Sequence, residues 1–144
     1  MDFERYIRDG KIGIPLGVRS LGVAKPETVE AYYYDYSIEL FQESIIKFQH
    51  TFNGNSEEGM EGLGLDDYLK NEGGAEIAKS INTSLDITLS KSNQLSGPLS
   101  SEVISNKTQV EQVYAELQKT IVLLKVEMPS ALSILINYQD TDGD

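Results

Sequence analysis

Seven apolar or aromatic side chains set the pattern of this chain. Ala31, Tyr34, Ile38, Phe41, Ile45, Phe48 and Phe52 recur at alternating steps of three and four. Such spacing keeps one face of a helix apolar, as in the seam of a coiled coil. Lys25-Pro26-Glu27-Thr28 suits the opening of that helix, because proline and an early acid both fit a first turn. Asn53-Gly54 suits its end.

Two more long helices follow from the same reasoning. Residues 75–95 place Ala78, Ile81, Leu85, Thr88, Ser92 and Leu95 on one face, which is more polar than that of the preceding helix. Residues 106–127 carry Val110, Tyr114, Leu117, Ile121, Leu124 and Met128, and Pro129 is expected to stop them. Residues 65–71 read as a short helix before Gly73-Gly74, and Gly97-Pro98 marks a break and restart. Residues 1–8 read as the end of a helix stopped by Gly10. Residues 10–22 hold four glycines and one proline. That density of breakers predicts a loop, and the alternation of Ile12, Ile14, Leu16 and Val18 predicts an ordered one. Residues 54–64 read as a polar acidic loop, and 132–138 alternate as an extended tail would. The fold expected is all-α: one domain over residues 1–144, an antiparallel bundle of three to four long helices with an ordered glycine-rich loop near the N-terminus. Ile38, Phe41, Ile45, Leu117, Ile121 and Leu124 are its expected shared core.

Charge narrows the partners. With 23 acidic against 12 basic residues the net charge is −11. A field of that sign repels phosphate backbones, and no basic stripe interrupts it, so no nucleic-acid partner is expected. No run approaches the roughly 20 apolar residues that cross a bilayer, so no transmembrane segment is expected. The chain has no cysteine, which removes disulfides and thiolate chemistry. Its first residues are charged and lack the apolar core of an export signal.

Few residues invite chemistry. His50 is the one histidine, so neither a conventional zinc site nor a serine triad can be built around it. It reads as a helix-end histidine, where a cation meets the negative end of the helix dipole. Asp66 and Asp67 read as the acidic start of a short helix. Glu57 with Glu58, and Asp35 with Glu39, are further carboxylate pairs. Asp140-Thr141-Asp142-Gly143-Asp144 has the wrong glycine position for an EF-hand loop, and leaves at most an incidental hard-cation site. Arg19 and Ser20 differ from all of these. They close the glycine-rich run and are candidate ligand-binding residues, because such a loop can turn backbone N–H groups and one guanidinium toward an anion.

Three runs, in this order, resemble the C-terminal half of the imelysin-like proteins of the bacterial envelope. They are Gly10-Lys11-Ile12-Gly13-Ile14-Pro15-Leu16-Gly17-Val18-Arg19-Ser20, then Gly64-Leu65-Asp66-Asp67-Tyr68-Leu69, and finally Met128-Pro129-Ser130-Ala131-Leu132 leading to Tyr138-Gln139-Asp140-Thr141-Asp142-Gly143-Asp144. The resemblance implies an all-helical half of a two-domain protein, a lipoprotein exported to the periplasm or outer cell envelope and linked to iron uptake. It implies that the D-x-D-G-D ending closes the fold, and that the 10–20 run borders an interdomain site. The family's G-x-H-x-x-E motif belongs to the other half; around His50 its places hold Phe48 and Asn53. The expectation is therefore a non-enzymatic binding half with no cofactor of its own. Its expected partner is an N-terminal half, and iron or another divalent metal ion, or an anionic ligand, belongs to the complete protein. Two alternatives stay open: the wall of a metallopeptidase cleft, and a purely structural domain.

Overall fold

A computed structural model of the chain describes residues 3–56 and 59–134. Among the described residues six helices make up the fold, joined in part by single 3-10 turns. Helix α1 is a wide-turned, π-type helix over Phe3–Gly13 that continues through the α-turn Ile14–Leu16; α2 is Ser37–Phe52 and α3 is Leu65–Asn71. Helix α4 is Ala75–Ser92, α5 is Leu99–Ser105, and α6 is Lys107–Val122, prolonged by a π-type stretch Leu123–Glu127 and a last turn Met128–Ala131. Helices α1, α2, α4 and α6 pack in sequence around one core, with α3 against α4 and α5 against α6.

Polar bonds along the seams show that neighbours run antiparallel. Between α2 and α4, Gln42 Nε2 donates to Asn93 Oδ1 (2.9 Å), Gln49 Nε2 donates to Asp86 Oδ1 (2.9 Å), and the Asn53 and Asn82 amides exchange bonds of 2.9 Å. Between α4 and α6, Gln94 meets Gln109, Lys91 meets Glu116 and Ser84 meets Thr120. In both pairs the partner number falls as the α4 number rises. All six expected core residues are buried in a single cluster. The polar face read for α4 is buried throughout, from Ala78 to Leu95. Its hydroxyls are satisfied locally: Thr88 Oγ1 donates to the Ser84 carbonyl and Ser92 Oγ to that of Leu89, at 2.8 Å each.

Three boundaries differ from the sequence expectation. First, the chain does not leave its helix at Gly10. Residues 10–16 are helical, and the ordered glycine-containing loop is confined to residues 17–25. Each helical glycine costs about 1 kcal/mol in propensity, but here the missing side chain is needed. A Cβ on Gly13 would lie 2.9 Å from the Tyr114 ring, and the helix buries Phe3, Ile12 and Leu16. Close packing of α1 on α6 outweighs the local preference.

Second, the helix expected from Pro26 begins only at Ser37. Pro26–Thr28 and Tyr32–Tyr34 are single 3-10 turns, and Ala31 (φ 52°) and Asp35 (φ 54°) sit in the left-handed region. Adjacent tyrosines are poor helix formers. The segment is instead tied down by buried Val29, by the Lys11–Glu30 ion pair and by a bond from the Ser37 hydroxyl to the Glu30 carbonyl. Ala31 and Tyr34 drop out of the seam, and Asp35 and Glu39 do not share one helix.

Third, Pro129 does not stop the last helix. The Met128 N–H reaches back five residues to the Leu123 carbonyl. Pro129 then falls in the first turn of Met128–Ala131, where its missing N–H costs nothing. Of the extended tail expected over residues 132–138, residues 132–134 instead close a turn, with Ser133 at φ 53° and the Ile134 N–H bonded to the Pro129 carbonyl at 2.9 Å; residues 135–138, and the acidic 140–144 run, lie outside the described residues, as do Glu57 and Glu58. Among the described residues no helix is long and apolar enough to cross a membrane.

Candidate functional site

Helical continuation of α1 places Asp9 in the protein, where the loop that follows can reach it. Asp9 is 8% exposed. Its Oδ1 accepts from Arg8 Nε at 2.6 Å and its Oδ2 from Arg19 Nη2 at 2.9 Å. Arg8 also donates to Gln118 Oε1 on α6, pairs with Glu4 at 3.4 Å, and lies over the Tyr114 ring at 5.6 Å from its centroid. Glu4 in turn accepts from Lys125 at 2.6 Å. The result is a half-buried polar network joining α1, α6 and the 17–25 loop.

Burial alone would push the Asp9 carboxyl up. The N–H bonds from Arg8 and Arg19 outweigh it and hold Asp9 below the usual carboxylate range. The bond to Asp9 strengthens Arg8 as a cation. Burial pushes the Tyr114 phenol up, so its hydroxyl keeps its proton.

The loop itself is rigidly built. Gly17 (φ 91°) turns the chain, and a Cβ there would lie 2.2 Å from the Val23 carbonyl oxygen. The Val18 N–H bonds Gly13 (2.9 Å), Gly22 bonds Gly17 (3.0 Å) and Lys25 bonds Pro15 (2.7 Å), while Lys107 Nζ donates to the Gly22 carbonyl at 2.7 Å. Arg19 projects from this frame with its side chain 67% exposed. Only one of its donors is bonded to Asp9; the rest of its fork faces outward. Ser20 serves the turn through its backbone, donating to Gly17 and accepting from Val23 at 2.9 Å each. Its hydroxyl takes no part in the Asp9 network.

Exposed apolar side chains flank Arg19 in sequence. Leu21 is fully exposed in a left-handed conformation, and Val18 and Val23 are exposed beside it in sequence. The tyrosine run that follows is similar: Tyr33 is 91% and Tyr34 84% exposed, and Tyr32 and Tyr33 meet edge to face at 5.3 Å.

The other candidates resolve differently. His50 lies near the C-terminus of α2, and its Nδ1 is buried with no hydrogen-bond partner among the described residues. No group of three His, Asp or Glu side chains among the described residues could hold a metal ion. Asp66 and Asp67 do open α3: Asp67 accepts from the Gly64 N–H at 3.2 Å, and Lys70 bridges both acids.

A second buried acid, Glu116, was not singled out in the sequence. It is held by Lys91 and Lys119, each at 3.0 Å, on the outer side of α4 and α6. Both lysines keep its carboxyl below the usual range against the effect of burial. Asp9 and Glu116 are thus depressed groups. Their contribution to stability is complete above their ordinary values of 3.8 and 4.5 and disappears as pH falls through their lower folded values. Urea midpoints measured from pH 6 down to pH 3 should fall most steeply below about 4.5. A Glu116→Gln variant should show a shallower fall over that window; an identical slope would remove Glu116 from the account.

No family model, curated protein or solved structure matches this chain.

Proposed function

We propose that this chain is the binding half of an imelysin-like envelope protein associated with iron or metal acquisition, with no catalysis of its own. It docks on an N-terminal half in the periplasm or outer envelope through the exposed apolar segments 17–25 and 32–36. Arg19 and Ser20 form its contribution to the shared cleft. The metal belongs to the G-x-H-x-x-E motif of the partner half, since His50 has neither the glycine nor the glutamate of that motif.

The observation that carries this reading is the conjunction at residues 17–25. A flexible surface loop would expose polar residues. This one is braced by backbone hydrogen bonds from Gly17, Val18, Ser20, Gly22, Val23 and Lys25, yet it presents Leu21 entirely to solvent two residues from a carboxylate-anchored arginine. The motif runs quoted above support the same partner.

The test is association with a recombinant half carrying G-x-H-x-x-E, followed by calorimetry with and without ferrous or ferric ion. The parent chain should bind, and Leu21→Asp and Arg19→Ala should each weaken binding by about tenfold or more, as central contacts of an interface do. Affinity equal to that of the parent chain in both variants contradicts the assignment of this face. Peptide cleavage by the assembled pair, abolished by chelator, would replace the binding role with that of a metallopeptidase wall.

A further inference from the structure

Asp9 is the one acid among the described residues that pairs with Arg19, and its place in the network is unusual for a surface ion pair. It is buried, while Arg19 is exposed. Each of its oxygens is committed to a different arginine. Arg8 is itself fixed by Glu4, Gln118 and the Tyr114 ring. The carboxylate is therefore held at both oxygens, and it takes one Nη2 N–H of Arg19; the second Nη2 N–H, which shares the other edge of the fork with Nε or Nη1, has no bond among the described residues. An arginine with one fixed edge and one open edge is prepared for a planar, two-oxygen acceptor.

We propose that Asp9 is a positioning residue that holds the outward edge of Arg19 ready to bind a carboxylate. This inference rests on the reading of Arg19 as a binding residue and adds the chemistry of its ligand and the group that orients it. A free arginine side chain loses rotamer freedom when it binds; one already held by Asp9 has lost it on folding.

Simple electrostatics makes the opposite prediction, which gives the test its force. Removing the Asp9 charge should draw an anion toward Arg19 if proximity of charge were all that mattered. The probe is acetate, titrated against the folded chain while the Nε–Hε resonance of Arg19 is followed by nuclear magnetic resonance. In the parent protein the Arg19 resonance should move saturably. Asp9→Asn should weaken acetate binding by roughly two- to tenfold, the range set by ordering one long side chain. Asp9→Glu, which keeps the charge but displaces the carboxylate by one methylene, should weaken it as well, and it carries the test alone if Asp9→Asn does not fold.

Unchanged or tighter binding in these variants, with Arg19 still responding to acetate, overturns the positioning role and leaves the site assignment standing. An Arg19 resonance in the parent chain that does not respond to acetate overturns both.

Discussion

Replacing Phe41 by alanine is expected to cost about 3–5 kcal/mol, about a fifth or more of the stability of an ordinary domain. The ring is 1% exposed and sits in α2 among the buried side chains of the common core. Its removal takes away the transfer free energy of the ring and leaves a cavity, because α2 is tied to α4 along its length by Gln42, Gln49 and Asn53 and cannot collapse inward freely. Tyr33→Ala is the matched control. That side chain is 91% exposed, and its loss should change stability by less than about 0.5 kcal/mol. Urea unfolding of the two variants distinguishes a seam that packs from one that only looks periodic. Similar losses for both would mean that the helix-face argument has assigned the wrong residues.

The second large effect is expected at Gly17. Alanine there must adopt a φ of 91°, and its Cβ would lie 2.2 Å from a backbone oxygen that cannot rotate away. Strain and clash together should cost roughly 2–4 kcal/mol. Gly73 separates the two contributions. It has a similar φ of 86° with nothing within 4 Å of the would-be Cβ. Gly73→Ala should therefore show the backbone cost alone, about 1 kcal/mol. The difference between the variants measures how tightly the 17–25 loop closes on itself, and so how firmly Arg19 is presented. Equal costs at the two glycines would show a loop that yields.

These cases also indicate where sequence was legible. The α4 and α6 seams could be read because burial there is continuous and helical spacing repeats over four or five turns. The short helix over 65–71 was announced by its acids and closed by glycines. The start of α2 was not legible. Ala31 and Tyr34 fit the 3–4 spacing, but the chain obeyed Val29 and Glu30, whose partners are distant in sequence. At α1 the glycines were read as breakers, although Gly13 is where the Tyr114 ring from α6 must pass. No local pattern contains that information. The same gap hid part of the site. Arg19 stood out as a cation ending a glycine-rich run in an acidic chain. Asp9 carries no such mark in the sequence, and only the continued turn of α1 buries it between Arg8 and Arg19.

The most direct measurement of the central claim is amide hydrogen exchange on this chain, alone and with the half that carries G-x-H-x-x-E. The account predicts new protection concentrated in residues 17–25 and 32–36, where Leu21, Tyr33 and Tyr34 now face water, with little change at the outer surface of α4. Association that leaves those two segments exchanging at their original rates, and protects another face instead, would contradict it.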